Sequence, residues 1–180
     1  IIPLGEWIIR KVCEQAKKWH NIGYNLNAGI NISAKQFNQD KLVDVIQDTI
    51  DLTGINPNLI ELELTESIIM KDVKRTLKIC KKLKEMGLII SVDDFGTGYS
   101  SLSYLKDFPI DKLKIDQSFI SNLADHDGDD AKIANLVIDL GHKLGLEVVA
   151  EGVETQNQID FLRKYACDEI QGFIPVSYTH

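Results

Sequence analysis

Short apolar runs alternate along this chain with longer segments in which apolar residues recur every three or four positions. The runs cover residues 26–32, 59–64, 88–92, 113–115, 146–150 and 169–173, and most are rich in Ile, Val and Leu. Strands buried on both faces have this composition. Between the runs, Met70, Val73, Leu77, Cys80 and Leu83 predict one helix over 69–86. Ile133, Val137, Leu140 and Leu144 predict another over 131–144. Ser33 with Gln36, and Thr155 with Gln158, have the spacing of a capping box. Gly54, Gly87 and Gly145 stand where helices should end in a left-handed residue.

Repeated strand–helix units with short connections predict an α/β fold, a parallel sheet with helices outside it. An open doubly wound sheet and a closed (β/α) barrel both satisfy that pattern. The polar residues at the C-terminal ends of the runs favour the barrel. Asn31 ends the first, Glu61, Glu63 and Glu66 lie at the second, and Asp93 and Asp94 end the third. Lys114 and Asp116 fall at the fourth, Glu151 at the fifth and Gln171 at the sixth. In a barrel these ends converge on one mouth, where active sites lie.

Taken singly, each of these residues has an ordinary explanation. Asp93-Asp94 could start a turn, Lys114 could snorkel from a strand edge, and a lone Glu could be a cap. Six successive strand ends carrying such groups are harder to explain that way. Carboxylates brought together repel and shift their pKa values unless cations neutralise them. The pattern therefore points to hard divalent ions with oxygen ligands, Mg²⁺ or Mn²⁺. His20, His126, His142 and His180 show no zinc-type spacing, and none stands at a strand end.

Composition narrows the function further. With 180 residues, 44% hydrophobic and 26% charged, and with no linker-like segment, the chain reads as a single domain over 1–180. A formal net charge of -7 disfavours binding to a DNA or RNA polymer but admits a small phosphate ester held through cations. Cys13, Cys80 and Cys167 are odd in number, far apart and without a CxxC, which predicts buried thiols in a reducing cytoplasm. No run is long enough to span a bilayer as a helix, and the opening residues do not read as a signal peptide.

The most informative stretch runs from Asp93 to Ser101, DDFGTGYSS. Two acids precede a loop whose glycines permit a sharp bend and whose backbone N–H groups could face an anion. This stretch resembles the signature loop of EAL domains, the bacterial cyclic di-GMP phosphodiesterases. Other pieces resemble that family's motifs in the same order: Asn31 to Phe37 (NISAKQF), Glu61 to Ser67 (ELELTES), Leu113 to Asp116 (LKID), Ala150 to Thr155 (AEGVET) and Gln171 to Phe173 (QGF).

The resemblance implies a TIM-like (β/α) barrel, here incomplete, and metal-dependent hydrolysis of cyclic di-GMP to linear pGpG. It implies two ions held by Asn31, Glu63, Asp93 and Asp94. Lys114 would position or polarise the attacking water. Glu151 would hold a metal-bound water or assist proton transfer, and Gln171 would orient water and phosphate. Glu66 would tether the DDFGTGYSS loop, and Glu154 would contact a guanine. The family pattern also implies a homodimer, with Phe95, Tyr99 and Leu102 offering apolar surface, and fused sensory or GGDEF domains. An inactive cyclic di-GMP receptor or scaffold is the alternative.

The chain departs from the family in two places. The EAL tripeptide, whose glutamate is a metal ligand, is absent, so the 180 residues alone are expected to be a weak or inactive enzyme. Residues 174–180, IPVSYTH, do not follow the family pattern and read as a divergent or non-native tail.

Overall fold

The computed structural model describes residues 2–97, 105–123 and 128–173. The strands are β1 (Ala28–Asn31), β2 (Ile60–Thr65), β3 (Ile89–Phe95), β4 (Lys112–Ile115), β5 (Glu147–Glu151) and β6 (Glu169–Gln171). Their order in the sheet is their order in the chain. The described helices are α1 (Ile2–Asn21), α2 (Ala34–Phe37), α3 (Leu42–Thr53), α4 (Glu66–Lys71), α5 (Val73–Glu85), α6 (Gln117–Ser121), α7 (Asp129–Lys143) and α8 (Gln156–Lys164). Each of the six predicted apolar runs thus holds a strand. The contacts divide the chain into two compact units, and the division passes between Ser91 and Val92 inside β3.

In the first unit β1 pairs with β2 in parallel, with Asn31 opposite Glu63. Helix α1 buries Gly5, Ile9, Cys13 and Ala16, a stripe at helical spacing, and packs on α3 and β1. The capping box forms at α2: Ser33 N–H donates to Gln36 Oε1 at 3.2 Å, and Gln36 N–H to Ser33 Oγ at 3.4 Å. Gly54 ends α3 with φ 60 and donates its N–H to Ile50 O at 2.8 Å, the expected left-handed cap.

The single helix expected over 69–86 is in fact two. Asp72, with φ -145 and ψ 84, leaves the helical region between α4 and α5. Its carboxylate accepts from Arg75 N–H at 3.1 Å and so caps α5. Aspartate competes with the helix for backbone donors, and the apolar period continues across the break without recording it.

In the second unit β4, β5 and β6 pair in parallel, with Ile115 opposite Ala150 and Glu151 opposite Gln171. All four residues of β4 are buried. Helix α7 lays Ala131, Ala134, Val137, Ile138 and Gly141 inward. A Cβ on Gly141 would overlap Val148 Cγ2, so glycine there sets how closely α7 approaches β5. At the N-terminal ends of these strands, buried Lys112 donates to Glu169 at 2.8 Å and lies 3.5 Å from Glu147.

The cysteines behave largely as expected. Cys13 and Cys80 are buried, and burial pushes their thiols up to about 11 and about 12. Cys167 is half-buried, with its Sγ 3.3 Å from Val148 O, and burial raises it to about 11. Thiols raised this far are poor nucleophiles. Among the described residues, no helix is long and apolar enough to cross a membrane. His126, His180 and the tail 174–180 lie outside the described residues.

Candidate active site

The third strand ends in a turn built by its own acids. Asp93 Oδ1 accepts from the N–H of Asp94 at 3.0 Å. Asp94 adopts φ 55, a left-handed conformation that aspartate tolerates better than most residues. Its carbonyl accepts from Thr97 N–H at 3.3 Å and Thr97 Oγ1 at 2.8 Å. These bonds reverse the chain directly after the two carboxylates. The remainder of the predicted loop, residues 98–101, and with it Tyr99, lies outside the described residues, as does Leu102. Phe95 is buried, 4% exposed, and does not offer the apolar surface expected of it.

Lys114 projects from β4 and is 3% exposed. Its Nζ lies 2.6 Å from Glu151 Oε1 and 3.5 Å from Asp93 Oδ1. A buried ammonium costs several kcal/mol unless it is paired with good geometry. Three consecutive strands, β3 (through its part in the second unit), β4 and β5, supply the charge and its partners. Lys114 is thus embedded between carboxylates and does not snorkel.

Asp94 shows how concentrated the negative charge is. Burial raises its pKa first, and then the charges of Asp93 and Asp116 raise it further. Interaction with the Asp116 side chain also raises it, while Lys114 pulls the other way. Carboxylates brought this close repel one another unless a cation neutralises them. Asp116 also caps α6, accepting from Ser118 N–H at 2.9 Å. The donors are all oxygen, which fits a hard divalent ion and not zinc. Among the described residues, no three Asp, Glu, His or Cys side chains form a group placed to hold a metal ion.

The other predicted residues fall as follows. Gln171 ends β6 opposite Glu151, and its carbonyl accepts from Val153 N–H at 3.1 Å. Glu154 is exposed on the connection from β5 to α8. In the first unit, Asn31 and Glu63 form the last register pair of β1 and β2. Glu61 and Glu66 are buried, at 8% and 4% exposed.

Gly29 was given no role by sequence reasoning, and Asp116, placed at the fourth strand end, was not counted among the ligands. A Cβ on Gly29 would overlap Glu63 Oε1, so the glycine leaves room for that carboxylate across β1. A glycine inside a strand was the available signal.

The EAL domain model, described by that name, matches residues 1–175. The chain belongs to the EAL domain family. It is 48% identical over 173 residues to "Signaling protein YkoW" of Bacillus subtilis (strain 168), covering 96% of this chain and 22% of that protein. It is 45% identical over 175 residues to "Bifunctional diguanylate cyclase/cyclic di-GMP phosphodiesterase MucR" of Pseudomonas aeruginosa, covering 97% of this chain and 25% of that one. The chain therefore spans about a quarter or less of these relatives. Among solved structures, "PaMucR Phosphodiesterase, c-di-GMP complex" superposes with TM-score 0.92 at 44% identity, over 96% of this chain and 70% of that one. That match shows the α/β, TIM-like (β/α) EAL fold expected from the sequence.

Proposed function

We propose that the protein carrying this EAL domain hydrolyses cyclic di-GMP to linear pGpG. The observation that carries the reading is Lys114, buried and held between Asp93 and Glu151 at the C-terminal ends of parallel strands. The names of the MucR relative and structure support the substrate.

In this reading, water oxygen attacks one phosphorus, the P–O3′ bond breaks, and the phosphate stays on the 5′ side. Glu151 accepts the proton lost by water and passes it to the departing O3′, which leaves as a hydroxyl. Lys114 places fixed positive charge where negative charge develops on the phosphoryl oxygens. Gln171, opposite Glu151 across the β5–β6 pair, orients water and phosphate through its amide. Glu154 contacts a guanine. Glu66 steadies the DDFGTGYSS loop.

Asn31, Glu63, Asp93 and Asp94 are the residues proposed to hold two Mg²⁺ or Mn²⁺ ions. When bound, such ions neutralise phosphoryl charge and acidify water. The raised pKa of Asp94, from its burial and from the charges of Asp93 and Asp116 beside it, supports a cation at that end of β3, because a cation would offset both. The same reading has the intact protein as a cytoplasmic-facing homodimer with fused signalling domains.

The test is turnover of cyclic di-GMP by the intact protein, followed by chromatography of the nucleotide products. Appearance of pGpG supports the proposal. Tight binding of cyclic di-GMP without any pGpG would replace it with a receptor.

A further inference from the structure

Gln158 does more than a capping box requires. It is the third residue of α8, and the cap needs only its reciprocal bonds with Thr155. Those bonds are present: Thr155 N–H donates to Gln158 Oε1 at 2.9 Å, and Gln158 N–H to Thr155 Oγ1 at 3.4 Å. The same Oε1 also accepts from Glu154 N–H at 2.8 Å. Gln158 Nε2 then donates to Ile120 O at 3.0 Å, in α6, 38 residues away. The side chain is buried, 5% exposed.

These bonds join two connections that leave neighbouring strands. Helix α6 follows β4, which carries Lys114, and the segment from Gly152 to Thr155 follows β5, which carries Glu151. That segment is seated from both sides. A Cβ on Gly152 would overlap Gln117 of α6. On the other side Val153 N–H donates to Gln171 O at 3.1 Å, and a Cβ on Gly172 would overlap Val153 O. Lys114 and Glu151 themselves are held by the strand ladder. The part that depends on Gln158 is the peptide of Glu154, whose carboxylate is exposed.

We propose that Gln158 is a positioning residue for substrate recognition: by tying the Glu154 peptide to Ile120 it fixes where the Glu154 carboxylate meets the nucleobase. An exposed carboxylate reads a base through adjacent N–H donors, and such pairing fails when the acceptor can drift. The inference rests on the reading of Glu154 as a base-contacting group.

Q158E separates the tie from the cap. A carboxylate still accepts from both N–H groups but cannot donate to Ile120 O. The experiment measures the Kd for cyclic di-GMP, together with KM, kcat and thermal melting, on the intact protein with Q158E, E154A, their combination and T155A. The expected result is a Kd and KM raised about five- to tenfold in Q158E, the scale of one lost hydrogen bond. The change falls on binding and not on kcat. The double variant binds no more weakly than E154A alone. T155A, which weakens only the cap, lowers the melting temperature and leaves Kd in place. Gln158→Met removes all of these side-chain bonds without burying a charge, carries the same expectation, and serves where Q158E does not fold. An unchanged Kd in Q158E, or full additivity with E154A, overturns the proposal. Absence of pGpG alongside the Kd shift would sink hydrolysis while sustaining the role of Gln158.

Discussion

Lys114 Nζ lies 2.6 Å from Glu151 Oε1, joining the ends of β4 and β5 through a side chain that is 3% exposed. Asp93 stands 3.5 Å away on the same ammonium. Removing the lysine leaves two carboxylates facing each other's charge. Lys114→Ala is expected to cut kcat about 10²–10³-fold, the scale of a lost transition-state donor in other enzymes. It should also lower the melting temperature. Steady-state kinetics with melting curves check both, and a variant with wild-type kcat would show that the lysine is structural only.

Asp93→Asn tests the cation. The substitution keeps shape and a hydrogen-bond acceptor for the Asp94 N–H but removes the charge. The expected outcome is loss of cyclic di-GMP turnover with an unchanged far-ultraviolet spectrum. Wild-type protein should likewise lose turnover in excess chelator and regain it with Mg²⁺ or Mn²⁺. Full activity in chelator would remove the metal assignment.

Gly29→Ala tests Glu63 without touching it. The new methyl would overlap the end of a flexible side chain, so Glu63 moves and the backbone does not. Stability should change by about 1–3 kcal/mol at most, the usual range for a small overpacking. Turnover should fall much more, with a raised Mg²⁺ requirement. Equal metal dependence in wild type and variant would argue that Glu63 is not a ligand.

Asp168 supplies a pH dependence away from the site. Burial pushes its carboxyl up, but the N–H of Val148 at 2.8 Å and His142 at 3.0 Å pull it down further, leaving it below the ordinary value. A carboxyl depressed by folding contributes stability above its unfolded pKa of about 3.9. That contribution is lost as pH falls through the lower folded value. Denaturant titrations from neutral pH down to about pH 3 should show the loss. Asp168→Asn should be less stable at neutral pH and should flatten the acid limb. An acid limb identical to that of wild type would show that the bonds to Val148 and His142 contribute nothing.

The positions of β2, β3, β4 and β5 were legible in the sequence because their burial leaves runs rich in Ile, Val and Leu, whereas β1 is largely and β6 wholly unburied. Both capping boxes were legible because they are local, completed within four residues. The residues at the strand ends were legible as types at places, and the resemblance of their motifs to EAL domains supplied roles for them.

Tertiary structure decided everything that depends on register or on reach. Asp72 divides a helix whose apolar period runs on without a mark. Gly29 matters only because β1 lies beside β2 in a register that brings Glu63 across it. Lys114 chooses Glu151 and Asp93 because three strands bring residues far apart in the chain to within a few ångströms. Gln158 reaches Ile120 for the same reason. A sequence records how often a position is buried, and that follows from local periodicity. Which buried group meets which is set by strand pairing and helix packing, interactions between segments that no local pattern encodes.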